Sequence, residues 1–293
     1  MLIIGCGAVG RRLAQRIRAA GGPVTGTVRS AAGAATLAAA GVDALRLDLD
    51  ETPVPHLPTA GAAVFYLVPP PPRGDSDERL RRFLAACARD GQPRRIVAIS
   101  TTGVYGDCAG AWVDEHRPAN PQVDRAKRRW DAERQLMAWR EASGGQAVVL
   151  RVAGIYGPGK LPLERLRRGD PMISAAEAPW TNRIHIDDLV TTCLAAMDRG
   201  RDGEVYNACD GQPGNMADYF ARVAAAAGLP RPPEISRAEA ERTLSPGMLS
   251  YLGESRRLSN RKLVEELGVE LRYPTLAEGL AASLAAARET GEA

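Results

Sequence analysis

Lysine is nearly absent from this chain. Of its 293 residues, 38 are Lys or Arg, and the lysines are Lys127, Lys160 and Lys262 alone. A reaction that relies on a lysine amine therefore has three candidates. The five cysteines (Cys6, Cys87, Cys108, Cys193 and Cys209) are odd in number, widely spaced and lack any Cys-x-x-Cys. This speaks against a disulfide framework or a zinc site and for reduced thiols buried as small hydrophobes. No metal is expected. No apolar run reaches the roughly 18 residues of a membrane span. No basic segment precedes the opening Met-Leu-Ile-Ile-Gly, so a signal peptide is not expected and the cytoplasm is the expected location. Charge of one sign is missing too: 35 Asp and Glu leave a net charge of +3. With no recognition motif either, neither nucleic acid nor an anionic membrane is an expected partner. There is no internal repeat.

What remains is ordinary globular composition, 45% hydrophobic and 25% charged, in a chain long enough for one large domain or two modest ones. Short runs rich in β-branched or apolar residues read as buried strands at 1–5, 23–28, 62–68, 95–100, 147–152 and 204–208. Helical periodicity lies between them, over about 8–20, 76–89 and 121–142 and from Asp187 onward. Buried strands alternating with helices predict an α/β fold, a Rossmann-type doubly wound parallel sheet. Beyond about residue 210 helices and Gly/Pro breaks dominate, so a smaller, mainly helical C-terminal substrate lobe is expected. The expected division is 1–157 plus 184–210 for the dinucleotide-binding domain and 158–183 plus 211–293 for the lobe. The Pro69–Pro72 run stiffens the loop leaving the 62–68 strand.

Residues 5–10 read Gly-Cys-Gly-Ala-Val-Gly. This GxGxxG follows a strand and opens a helix, the context in which it marks a dinucleotide site. Gly5 permits the tight turn, Gly7 the close approach of a pyrophosphate, and Gly10 close helix–strand packing. The helix start, with Ala8 and Val9, offers free N–H groups and a positive dipole end. At the end of the second strand an NAD site carries an acidic residue for the ribose 2′-OH. Here the sequence is Thr27-Val28-Arg29-Ser30, and the first carboxylate in the chain is Asp43. Arg29 and Ser30 suit a 2′-phosphate instead, which makes NADP(H) the expected cofactor and NAD(H) the second choice. Asp48 and Leu49, after the third strand region, and Val68, after the fourth, are expected to line the same cleft.

Four further segments follow in order: Ser100-Thr101-Thr102-Gly103-Val104-Tyr105-Gly106, Arg151-Val152-Ala153-Gly154-Ile155-Tyr156-Gly157-Pro158, Asn182-Arg183-Ile184-His185-Ile186-Asp187-Asp188-Leu189 and Tyr206-Asn207-Ala208-Cys209-Asp210. With the GxGxxG, the chain resembles the extended and atypical short-chain dehydrogenase/reductases, more narrowly the NAD-dependent epimerase/dehydratase group. The resemblance runs to about residue 280. It implies that Thr101 hydrogen-bonds the substrate oxygen and that Val152, Ala153 and Ile155 line the nicotinamide, with Ser100 beside them. Asp187 and Asp188 match the start of a helix. It also implies dimerisation through the 121–142 helix.

The same resemblance exposes a departure. The family's catalytic pair is a Tyr and a Lys four residues later, with a Glu usually four further on. The matching glutamate is Glu133, which puts Arg129 in the Lys place and Arg125 in the Tyr place. No tyrosine lies between Tyr105 and Tyr156. Arginine keeps its proton near neutrality, so Arg125 is no acid or base, whereas Arg129 still supplies positive charge and donors for a ribose. Another acid must then come from elsewhere: Tyr105, Asp107, His116, Tyr156 and His185 are the nearby candidates. Arg125, Arg128, Arg129 and Arg151 form a cationic group suited to an anionic substrate such as a nucleotide sugar. Thr102, Tyr105, Arg151 and His185 are the expected substrate contacts, with a structural role the competing reading for His185. The leading function is an NADP(H)-dependent oxidoreductase or epimerase/dehydratase-like enzyme. Its substrate is a small polar or nucleotide-linked carbonyl or alcohol. The alternative is a non-catalytic NADP(H)-binding redox sensor.

Overall fold

The computed structural model describes residues 1–289. Strands β1 (Leu2–Ile4), β2 (Thr25–Val28), β3 (Asp43–Arg46), β4 (Ala63–Tyr66) and β5 (Arg95–Thr101) join strands Gln146–Val152 and Val205–Ala208 in one seven-stranded sheet. Every pairing in it is parallel, and β1 sits between β2 and β4. The chain thus winds outward from β1 in both directions, and the switch between β1 and β4 opens the crevice where such sheets take ligands.

The strands are buried because both faces are covered. Leu2 and Ile4 of β1 point into one core while Ile3 points into the other, as the two-residue period of a strand requires. Helices α3 (Glu78–Asp90) and α4 (Asp124–Ser143) cover one face with Leu80, Phe83, Leu136 and Trp139. Helix α1 (Ala8–Ala19) and helix Ile186–Arg199 cover the other with Leu13, Ile17, Leu189 and Cys193. All five cysteines are free and buried.

A second, smaller core gathers Tyr156, Leu166, Met172, Phe220, Val223 and Leu280. It joins the 161–172 excursion to helices Met216–Ala226 and Leu276–Glu289. Helices Arg237–Thr243 and Pro246–Leu252 complete this lobe beside the sheet's C-terminal edge. Leu263, Leu267 and Val269, which the sequence reading gives to the lobe, pack into the core under the main sheet. Among the described residues no helix is long and apolar enough to cross a membrane.

Candidate active site

The glycine turn is built as a backbone cradle. Gly5 has φ +98°, and its N–H donates to Thr27 Oγ1 at 2.9 Å, tying the turn to β2. A Cβ on Gly10 would lie 2.6 Å from the Gly5 carbonyl oxygen, so only glycine lets α1 pack this close to β1. A Cβ on Gly7 would meet nothing within 4 Å. Gly7 also caps α1 without a side-chain bond, and the first turn holds no acidic residue. The first N–H groups of α1 are therefore left to face a cleft of about 800 Å³ lined by Gly5, Gly7, Ala8, Val9 and Gly10. These features fit a dinucleotide diphosphate.

Along the same cleft lie Arg29, Ser30, Asp48, Leu49, Val68 and Ile155. Ser30 also caps helix α2 (Ala31–Ala39), accepting from the Gly33 N–H at 3.1 Å. Arg46, across the register from Val28, donates to the Arg29 carbonyl at 3.3 Å and places a second guanidinium at this end. Asp48 accepts from the Asp50 N–H at 2.9 Å, and Asp50 pairs with Arg79. Among the lining residues that carried no local sequence signal for the site are Arg79, which also donates to the Pro69 carbonyl at 2.9 Å, and Lys160.

A second cleft of about 620 Å³ continues from the first, sharing Pro69, Ile99, Arg129 and Ile155 with it. Ser100, Thr101, Thr102, Val152 and Ala153 line this part. Thr101 Oγ1 accepts from the Gly103 N–H at 3.2 Å, capping the short turn Thr102–Tyr105. Arg129 stands at the junction. Its Nη1 donates to the carbonyls of Val68 at 3.2 Å and Ile99 at 3.0 Å. Burial lowers its pKa, opposed by the Asp77 carboxylate. Arg125, one turn earlier on α4, reaches the lobe: Nη1 donates to Ser250 Oγ at 2.6 Å, and its guanidinium lies 4.2 Å from the centre of the Tyr251 ring. Arg128 donates to the Gly74 carbonyl at 2.6 Å, while its buried Nε has no partner among the described residues.

Three expected substrate contacts stand elsewhere. Arg151 is buried, and its Nε and Nη2 donate to Glu133 at 3.2 and 2.8 Å. Strand parity turns it toward α4, away from the cleft that its neighbour Val152 lines. Burial works against its charge, but Glu133 outweighs this and raises its pKa. Ser100 donates to the same carboxylate. Tyr105 is also buried, donating to Asn207 Oδ1 at 2.8 Å, and burial pushes its phenol up to about 12. His185 is 1% exposed, and its Nδ1 caps helix Ile186–Arg199 by accepting from the Asp187 N–H at 3.2 Å. It packs between Tyr156 and Tyr273, and burial lowers it to about 4. It is structural.

The remaining candidate acids are no closer to the reacting end. Tyr156 is buried, its hydroxyl without a partner among the described residues and its pKa raised by burial. Asp107 accepts from the N–H groups of Ala109 and Ser255, and His116 is exposed beside Asp114. None of the five lines the second cleft. Asp187 and Asp188 do begin a helix. Asp188, however, accepts from the N–H groups of Arg272 and Tyr273, and Asp187 pairs with Arg12 at 3.2 Å.

The lobe supplies groups that single residues in the sequence do not announce: Trp180, Asn182, Arg183, Tyr251, Glu254 and Arg256. Asn182 and Arg183 belong to a quoted motif; the others are brought in by tertiary folding alone. Five guanidinium groups (Arg125, Arg128, Arg129, Arg183 and Arg256) thus line the second cleft with one carboxylate, Glu254.

Known proteins place this geometry in context. The profile of the "NAD dependent epimerase/dehydratase family" matches residues 75–209. Protein YeeZ of Escherichia coli (strain K12) is 26% identical over 282 residues, 93% of this chain and 95% of that protein. A solved structure of a functionally unknown conserved protein from Silicibacter pomeroyi is 33% identical, covers 98% of both chains and superposes with a TM-score of 0.83. MoeE5, solved in complex with UDP-glucose and NAD, is 22% identical over 99% of this chain and 98% of its own, with a TM-score of 0.76.

Proposed function

The chain belongs to the NAD-dependent epimerase/dehydratase family, and from that premise we propose that it is an NADP(H)-dependent oxidoreductase or epimerase/dehydratase acting on a nucleotide-linked carbonyl or alcohol. The observation that carries the reading is the continuity of two clefts at Arg129. One has the form of a dinucleotide cradle, and the other is rich in guanidinium groups and lined by Thr101. MoeE5, which holds UDP-glucose and NAD on the same fold, supports this pairing of ligands.

Gly5, Gly7 and Gly10 with the start of α1 would hold the diphosphate. Arg29, with Arg46 beside it and no carboxylate at the end of β2, would hold a 2′-phosphate, which favours NADP(H) over NAD(H). When bound, the nicotinamide supplies or takes up a hydride. Arg129, fixed to two backbone carbonyls by one nitrogen, presents its remaining N–H groups to a ribose hydroxyl. Thr101, whose Oγ1 already accepts from Gly103, donates its own O–H to the substrate oxygen. The arginines of the second cleft meet the phosphates of a nucleotide-linked substrate. Pairing of two chains through α4 is part of the same proposal.

The test is the purified chain with NADP⁺, NADPH, NAD⁺ and NADH against UDP- and dTDP-sugars, following nicotinamide absorbance and product mass. The expected result is sugar conversion that depends on the dinucleotide and falls in Thr101→Ala. Arg125 in the place of the family tyrosine favours one other reading, a non-catalytic NADP(H) sensor. That reading predicts tight, unequal binding of the two redox forms and no turnover.

A further inference from the structure

The second cleft has lost the tyrosine of α4 but not a tyrosine. We propose, building on the function above, that Tyr251 on the lobe helix Pro246–Leu252 is the group that exchanges a proton with the substrate, and that Arg125 is its positioning residue.

Elimination within the cleft carries the first part. Its ionisable side chains are Arg125, Arg128, Arg129, Arg183, Arg256, Glu254 and Tyr251. The arginines hold their protons in water near neutral pH. Glu254 is buried: its Oε2 lies 2.6 Å from Arg256 and 3.7 Å from Arg125, engaged by two cations, and its Oε1, without a hydrogen-bond partner among the described residues, is closed off from solvent, so neither oxygen is open to an incoming molecule. Tyr251 lines the same cleft as Thr101 and Thr102 and is 54% exposed. It is the one phenol of the cleft, among the described residues, and it is open to an incoming molecule.

Contacts of Arg125 carry the second part. It grows from the α4 position one turn before Arg129, where the family pattern puts its own phenol. Instead of donating a proton there, it crosses the cleft. Its Nη1 holds Ser250 Oγ at 2.6 Å, and its guanidinium covers the neighbouring Tyr251 ring at 4.2 Å. Such a stack is worth about 0.5–1 kcal/mol when exposed and more when desolvated. The charged group stacked on Tyr251 is Arg125 of α4, and Glu254, Arg256, Arg128, Arg129 and Arg183 line the same cleft. Position and polarity both pass from one residue of α4 to a pair split between α4 and the lobe.

In the oxidising direction Tyr251 would act in its deprotonated form: the substrate O–H bond breaks and its proton moves to the Tyr251 oxygen, restoring the phenol. The electron pair of that bond becomes the second carbon–oxygen bond. The hydride leaving the carbon is taken up by the oxidised nicotinamide. The reducing direction runs the same exchange backward.

Two measurements on the full chain test this. Tyr251→Phe, Glu254→Gln, Arg125→Lys and Arg125→Met are compared with wild type for turnover and for the dissociation constants of NADPH and UDP-glucose. Separately, Tyr251 nitration by tetranitromethane is read by peptide mass spectrometry with and without NADP⁺ plus UDP-glucose. The assignment expects Tyr251→Phe to lose 100-fold or more in kcat with dinucleotide affinity unchanged, as loss of an acid–base group does. It expects Arg125→Lys to keep more activity than Arg125→Met. It also expects the bound ligands to shield Tyr251 from nitration. Wild-type turnover that survives in Tyr251→Phe, turnover lost only in Glu254→Gln, or nitration unaffected by ligand overturns the assignment and leaves the proposed function standing. A wild-type chain without turnover overturns the proposed function itself, and this assignment with it.

Discussion

Arg151 and Glu133 form a buried ion pair between strand Gln146–Val152 and α4, with Nη2 donating to Oε2 at 2.8 Å and Nε at 3.2 Å. Glu133 also accepts from Ser100, so one carboxylate fixes α4 against the ends of β5 and Gln146–Val152. The spacing of four that ties Glu133 to Arg129 and Arg125 thereby becomes a fixed geometry: whatever holds Glu133 also sets where those arginines enter the cleft. Arg151→Met strands the carboxylate in an apolar setting and is expected to cost about 3–5 kcal/mol. Arg151→Met with Glu133→Leu is expected to recover most of this. Urea unfolding of the three proteins checks the pair.

The glycine turn separates fold from binding. Gly7→Ala places a methyl in open space at φ −73°, so stability is expected to hold while dinucleotide affinity falls at least tenfold. Gly10→Ala drives a methyl against the Gly5 carbonyl and is expected to cost about 1–3 kcal/mol as an overpacked contact. Melting temperature and NADPH binding, measured on both variants, check this contrast.

His185 gives the fold a defined acid sensitivity. Burial lowers its folded pKa from 6.5 to about 4, so on acidification the unfolded chain takes up this proton first. The neutral ring's contribution is fully present above the unfolded value, falls as pH drops from 6.5 toward 4 and levels off below. At about 1.4 kcal/mol per unit the full effect is about 3 kcal/mol. Asp210, raised to about 7 by burial, acts in the opposite direction over an overlapping range. The difference between wild type and His185→Asn isolates the histidine, since asparagine retains the helix cap. Melting temperatures from pH 4 to 7 are expected to show the gap between the two proteins closing or reversing in favour of the variant as pH falls.

Under the proposed function, Arg29 carries the cofactor preference. Removing one charge-assisted contact to a 2′-phosphate weakens NADPH by roughly 10–100-fold. Arg29→Ala is therefore expected to lose affinity for NADPH by that factor and to change little toward NADH, read by nicotinamide fluorescence.

Much of the fold was legible because its signals are local. Buried strands such as 95–100 and amphipathic helices such as 8–20 alternate along the chain, and the glycine turn falls between the first strand and helix. Arg129 and Arg125 were located through the resemblance, by counting back from Glu133 along the family's pattern. Arg151 misled because its charge sits next to Val152 in sequence; the two-residue strand period puts the pair on opposite sides of the sheet. His185 stayed open between two roles because a motif residue at a strand–helix junction is equally suited to capping the helix. Tyr251, Glu254 and Arg256 were out of reach of local pattern, since they enter the cleft more than a hundred residues after the α4 arginines they meet.

The central claim is that a dinucleotide occupies the cleft above Gly7. Native mass spectrometry of the purified chain with equimolar NADPH and NADH tests it most directly. The account predicts one dinucleotide per chain, NADPH retained over NADH, and loss of both in Gly7→Ala. A chain that stays free of dinucleotide at millimolar concentrations of both, while remaining folded, contradicts it.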